Sequence, residues 1–408
     1  MRFSELIKET KLNGITIIDL EDFVEKGYPK NNVEAENPDM DDDGLEEGIV
    51  ESLLAEKEFG LGASHRPISG KDLKDYLHRI ATKTTAKRDT YDLPYIHGSN
   101  IVPIKNEEGR DYDLDALRDA ITKRPTSLLK QNEKMKHSDG SATIYYNTSL
   151  PALKGLAVNE ETGEFVIIDT CPGAGICKTY CYAKKGSYVM FKAVSMNQTR
   201  VLNFLMNDPD GFSAKLSEEI QDQVDKWENE DVQLFIRFHD SGDFFSLEYY
   251  KVCCDIARNF PTVKFYAYTK SSNVMLTDKP ENFELNFSEG ALPKEEKKLD
   301  IINIKRSIVV PKEMFFDLIA RKGNSLIKDD QGRMQFIDED TLEEFKQRLV
   351  EKYHIKYETI LTYDEYIETD SDDNPEEGKP FWSVIVVPGD GDRSAADPNV
   401  LITFLLFH

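Results

Sequence analysis

The sequence predicts an α/β protein built on a parallel sheet, a partial or irregular (β/α) barrel preceded by a mostly helical extension. Three observations predict it. From about residue 141 onward, short runs of β-branched and aromatic residues alternate with stretches of helical spacing, as expected for strands laid side by side and joined by crossover helices. Polar loops follow three of the predicted strand ends, at TCPGAG, HDSGD and TKSSN. With 39% hydrophobic residues among 408, the chain also has enough apolar material for a large core.

The elements follow in order. Residues 1–64 form an N-terminal segment that opens on ITIIDLEDFVEKG and runs into an acidic linker, with nine Asp or Glu between Glu34 and Glu51. Residues 65–140 read as a helical lead-in (KDLKDYLHRIATK, DLDALRDAITKR) broken at YDLPYIHGSNIVPI. The core domain is 141–408. It opens with a strand at 164–170, helices at 189–207 and 212–228, a strand at 232–238, a helix at 246–259 and a strand at 263–268. Further strands fall at 282–287, 301–310, 383–387 and 401–407, with helices at 314–321 and 341–353. An acidic insert near 368–380 reads as a surface loop, and the strand–helix order from 164 to 310 suits a six-strand partial barrel.

Fifty-one basic against seventy-five acidic residues give a formal charge of −24. Phosphates are repelled by such a chain, which argues against nucleic acid as a partner unless a basic face gathers around Lys184, Lys185, Lys192 and Arg200. No apolar run approaches the ~18–20 residues that cross a bilayer, and MRFSELIKETKLNG lacks the apolar stretch of a secretory signal. Five cysteines, an odd number in tight local spacing, suit reduced thiols or thiolate ligands better than disulfides. The expected setting is the cytoplasm.

Three of those cysteines, Cys171, Cys177 and Cys181, lie within TCPGAGICKTYCYAKKG. Thiolates bind soft metals and iron–sulfur clusters. Gly173 and Gly175 are read as permitting the tight backbone turns that wrapping requires. Zinc sites show paired Cys-x2-Cys knuckles and a fourth ligand, whereas the spacing here is Cys-x5-Cys-x3-Cys without a nearby histidine, so a cluster fits better. Three ligands leave one iron of a four-iron cluster open to a substrate or cofactor. Closure by Cys253 or Cys254 is the alternative, although these adjacent residues on a helix suit core packing.

The second constellation, RFHDSGDFFSLEYY, begins at a strand end, and Ser241-Gly242-Asp243 leads into a helix. It either presents backbone and a carboxylate to a ligand or caps that helix. His239 and Asp240 are the candidate proton carriers beside it. Thr269, Lys270 and the serines of YAYTKSSN form a third polar rim.

These loops, in this order, resemble the radical S-adenosylmethionine superfamily. There, three cysteines spaced Cys-x3-Cys-x2-Cys hold a 4Fe–4S cluster, an aromatic residue precedes the third, and a Gly-Gly-Glu-like loop binds the cofactor's methionine amine. Here Tyr180 precedes Cys181 and Ser241-Gly242-Asp243 stands at the Gly-Gly-Glu-like place, with both cysteine gaps wider and Asp in place of Glu. A closer likeness is to phage-encoded proteins of the gene product 88 type, through CPGAGICKTYCYAKKGSY, RFHDSGDFFS and FYAYTKS, over roughly residues 140–290.

The resemblance implies a radical-type barrel whose cluster is held by Cys171, Cys177 and Cys181. S-adenosylmethionine would be held by Ser241, Gly242 and Asp243, with Tyr180 against the cluster or adenine. It also implies an electron donor as partner, an unknown substrate, and a host cytoplasm as location. The competing expectation is a noncatalytic metal- or cluster-stabilised protein that docks a host or phage partner.

Overall fold

The computed structural model describes residues 10–12, 15–17, 59–81, 93–101, 104, 111–131, 143–228, 230, 232–301, 303–315, 327–328, 334–335, 338–369, 379–387 and 393–406. The chain divides into two units, Met1–Leu54 and Ala55–His408. In the first, β1 (Thr10–Leu12) and β2 (Ile15–Ile17) form an antiparallel hairpin. The acidic linker at 34–51 lies outside the described residues, as do 370–378 of the acidic insert and most of the helix expected at 314–321.

The second unit starts with β3 (His65–Pro67), α1 (Gly70–Ala81) and α2 (Leu114–Thr122). Asp113 caps α2 by accepting from the Asp115 and Ala116 N–H groups. Three strands follow, β4 (Thr143–Asn147), β5 (Lys154–Val158) and β6 (Phe165–Asp169). Next come α3 (Cys177–Tyr180), α4 (Lys192–Asn207) and α5 (Pro209–Trp227), the last capped by Asp208 with proline in its first turn. Then β7 (Gln233–Phe238), α6 (Leu247–Asn259), β8 (Lys264–Thr269), β9 (Phe283–Ser288) and β10 (Arg306–Val309) alternate much as the apolar runs predict. A short antiparallel pair, β11 (Ile327–Lys328) and β12 (Met334–Gln335), precedes α7 (Glu339–Tyr353). The chain then runs through β13 (Ile360–Thr362), α8 (Tyr363–Glu368), β14 (Trp382–Val386), α9 (Arg393–Ala396) and β15 (Val400–Leu405).

Eight strands make one sheet in the order β13-β14-β15-β10-β9-β8-β7-β4. Every neighbouring pair in it is parallel. Alternate residues divide between its two faces. Leu234, Ile236 and Phe238 of β7 join Phe265, Ala267, Phe283 and Leu285 in a core with Tyr249, Cys253 and Ile256 of α6. Each buried Leu, Ile or Phe among them contributes ~1.5–3 kcal/mol through burial. Cys253 and Cys254 are core residues, as their helical position predicts.

The strand order explains why the opposite face is different. From β4 to β10 the chain steps one way across the sheet, and right-handed crossovers place the intervening helices on one face. Beyond β10 it jumps to the far edge and steps back, so the same handedness puts α8 and α9 on the other face. There Ala395 and Ala396 of α9 pack with Tyr145, Phe235 and Tyr266, and Tyr363 and Tyr366 of α8 pack on Val384 and Val386. The buried Lys305 ammonium ties this return to β10, donating to the carbonyls of Ser394 (3.3 Å), Val400 (3.1 Å) and Asp397. Burial lowers its pKa to about 8.

The expected strand at 164–170 is present as β6 but belongs elsewhere. It pairs antiparallel with β5 and β3 in a separate three-stranded sheet. The lead-in is joined to the core by this sheet: Leu73, Tyr76 and Leu77 of α1 and Leu117 and Ile121 of α2 pack with Leu156, Phe165 and Met196.

Candidate metal centre

Cys171 directly follows Thr170, whose buried hydroxyl donates to the Pro151 carbonyl at 2.6 Å. The cysteine loop leaves β6 and crosses to the carboxyl ends of the parallel strands. There it is stitched to the turn after β9. The N–H groups of Gly175 (3.1 Å) and Cys177 (3.2 Å) both donate to the Gly290 carbonyl, and Leu292 N–H donates to Gly173 O at 2.8 Å. Ala174 and Ala291 form an antiparallel bridge.

This stitching gives Gly173 and Gly175 a different purpose from the one expected. Neither adopts positive φ. A Cβ on Gly173 would stand 2.3 Å from the Lys270 carbonyl oxygen, and one on Gly175 2.2 Å from that of Ala291. Backbone approaches backbone here too closely for any side chain. Gly290 does use positive φ, at 81°, and a Cβ there would meet Tyr180 Oη at 2.3 Å.

The three thiols border one small apolar cluster. Cys171, Cys177 and Cys181 pack around Ala152, Leu153, Ala174 and Ala183, and Leu153 N–H donates to Cys171 Sγ at 3.2 Å. Burial, with the Asp243 charge and the other two thiols, pushes the Cys171 thiol up. Burial raises Cys177 as well, against the Lys270 ammonium. Among the described residues, no three His, Cys, Asp or Glu side chains form a group able to hold a metal ion. The ligands of a single zinc all lie ~2.3 Å from one point. Cluster ligands each bind a different iron, and thiolates are the donors such clusters take, so the donor set of these three cysteines is chemically suited to one.

Asp243 stands beside these thiols, buried. Its N–H donates to Thr170 O at 2.9 Å, while Oδ1 accepts from Phe244 N–H (2.7 Å) and Oδ2 from Lys270 N–H (2.8 Å). Burial lifts its carboxyl to about 6 against those hydrogen bonds. It therefore fastens the root of the cysteine loop and the ends of β7 and β8 together. Gly242 reaches φ 87°, where a Cβ would press on Leu150. Ser241 accepts through its carbonyl from Leu150 N–H, and its buried hydroxyl has no partner among the described residues.

His239 faces elsewhere, whereas Asp240 borders the cysteine loop through Tyr182 and Tyr188. His239 has φ 64°, a left-handed conformation uncommon for a non-glycine residue. The turn breaks the strand's alternation, and the ring follows Phe238 into the aromatic core. Nε2 lies 2.7 Å from Tyr249 Oη, and the ring meets Phe244 edge-on at 4.7 Å. Burial, aided by Arg237, lowers its pKa to about 3. Asp240 is half-buried, and its carbonyl accepts from the hydroxyls of Tyr182 and Tyr188. Burial raises its carboxyl, opposed by Ser149, Arg237 and Lys130 among others. Tyr180, 39% exposed, lies against Gly290 with its hydroxyl near Cys177 and Glu289.

The structure thus brings the cysteines and Asp243 together, adds the Glu289–Leu292 turn that the sequence reading missed, and directs His239 away. A glycine just past a predicted strand end, in SEGALP, was the available signal. A cleft of about 320 Å³ lies apart from this site, lined by Arg66, Asp72, Tyr76, Arg79 and Leu93 among others.

Fold and site define an α/β protein with three cysteines gathered at the carboxyl edge of an open parallel sheet. The chain belongs to the gene product 88 family, a phage-type family whose model matches residues 126–352. Neither curated proteins nor solved structures yield a match. No described helix is long and apolar enough to cross a membrane.

Proposed function

We propose that the protein is an iron–sulfur enzyme of radical S-adenosylmethionine type, built on an open parallel sheet covered on both faces in place of the partial barrel expected, acting on an unknown substrate in the host cytoplasm. The observation that carries this reading is the gathering of three thiols on one small apolar cluster, within electrostatic reach of one another and of the buried Asp243. Cys171, Cys177 and Cys181 would hold the cluster. When bound, a four-iron cluster with one open iron supplies an electron to S-adenosylmethionine.

The chain's own contribution is positional. Leu153 N–H steadies charge on the Cys171 sulfur, and the Lys270 ammonium, held 2.6 Å from Ser288 Oγ, favours the Cys177 thiolate. Because burial favours the neutral thiols, loading must release protons and weaken as pH falls. Ser241, Gly242 and Asp243 form the wall on which the cofactor's methionine end would rest, although both Asp243 oxygens already accept backbone N–H groups. An electron donor completes the system.

A second reading, a noncatalytic cluster-stabilised docking protein, is favoured by the exposure of Ile176, Tyr180 and Tyr182 around the thiols. Anaerobic reconstitution with iron and sulfide tests the shared premise. About four irons and four sulfides per chain are expected, falling to near zero in Cys177→Ala. Stoichiometric zinc, or iron retained in the variant, would refute a cluster held by these cysteines.

A further inference from the structure

We infer that the lip formed by Tyr182, Lys185, Met190, Phe191 and Lys192, beside the three thiols, binds single-stranded nucleic acid. The first support is charge. Residues 170–207 contain no Asp or Glu, where the chain's average density would place about seven, and they carry five Lys or Arg. The basic face considered from sequence is realised only in part. Lys184 is buried, its ammonium donating to the carbonyls of Lys178 (2.7 Å) and Thr179 (3.2 Å), and Arg200 Nε donates to Ala120 O. Lys185 and Lys192 stand exposed.

The second support is apolar exposure. Of six large apolar side chains exposed among the described residues, five lie between Ile176 and Phe191. Phe191 is 59% exposed and Met190 58%. Tyr182 is 40% exposed although its hydroxyl is anchored on the Asp240 carbonyl. Its ring also meets Tyr188 edge-on at 5.5 Å, so it is held in place. Lys185 N–H donates to Tyr182 O and Phe191 N–H to Ser187 O, which binds the lip into one compact turn-and-helix unit.

Interleaved aromatics and lysines match a ligand with flat π-faces joined by phosphates. A duplex hides those faces, so an unpaired strand is the better fit. The strongly acidic remainder of the chain confines the contact to this lip and makes it salt-sensitive. Nothing here depends on a cluster, and its failure would leave the reading of the thiols standing.

The test is fluorescence anisotropy of the full chain with a short labelled oligothymidylate, the same-length duplex, and phosphatidylglycerol vesicles as a separate arm. Binding at low salt is expected for the single strand, weakened about tenfold by Phe191→Ala. In the Lys185→Glu, Lys192→Glu double variant, the slope of log affinity against log salt should flatten by about 1.4. Absence of binding at low salt, equal affinity for duplex, indifference to both variants, or capture of the vesicles in place of the strand would overturn the assignment.

Discussion

Gly175→Ala is expected to detach the cysteine loop from the sheet and to lower stability by about 3 kcal/mol or more. The added methyl would lie 2.2 Å from Ala291 O, 2.6 Å from Ala291 C and 2.9 Å from Leu292 N. All three are backbone atoms, so no side chain can swing aside. Relief requires separating the loop from the turn after β9, with loss of the two hydrogen bonds to Gly290 O. Gly163→Ala is the control. A Cβ there meets nothing within 4 Å, and only its φ of 73° opposes the change, so about 1 kcal/mol is expected. Chemical denaturation of the two variants checks the difference. Equal losses would mean that the close approach at Gly175 does not hold the loop.

His239 should make the protein acid-sensitive from about pH 6.5 downward. Its folded pKa is depressed to about 3 from the ordinary 6.5, so in acid the unfolded chain binds a proton that the folded chain refuses. The associated stability is fully present above pH 6.5 and is lost as pH falls from there toward 3. At pH 5 the loss amounts to about 2 kcal/mol. Asparagine tolerates the left-handed backbone at this position, so His239→Asn removes the titration without forcing the turn. Losing the contact to Tyr249 lowers the variant's stability at all pH values, and the reading is therefore the change between pH 7 and 5. That change should be smaller by about 2 kcal/mol in the variant. Parallel curves would show that His239 takes up its proton without unfolding.

Much of this architecture was visible in the sequence because buried parallel strands read as unbroken β-branched and aromatic runs. VQLFIRF and VKFYAY became β7 and β8 within a residue or so at each end. Pairing was not visible. β6 has the same composition as its neighbours, but its partner β3, HRP, lies about a hundred residues earlier and carries no strand signal of its own. The reversal that brings β15 beside β10 is likewise absent from any periodicity, as are the short strands β4 and β13. Within the site, the cysteines and Asp243 stood out by residue type and spacing. Gly173 and Gly175 could not be interpreted from sequence alone, because a glycine required by a distant backbone looks the same there as one required by its own φ. His239 looked chemical at a strand end, and one left-handed residue turned it into the core.

Whether the three thiols hold a cluster with an open iron is decided by electron paramagnetic resonance of the anaerobically reconstituted, reduced protein with and without S-adenosylmethionine. A four-iron signal is expected that shifts when the cofactor is added and is missing in Cys177→Ala. A signal indifferent to the cofactor, or one that persists in the variant, would contradict an open-iron cluster on these thiols.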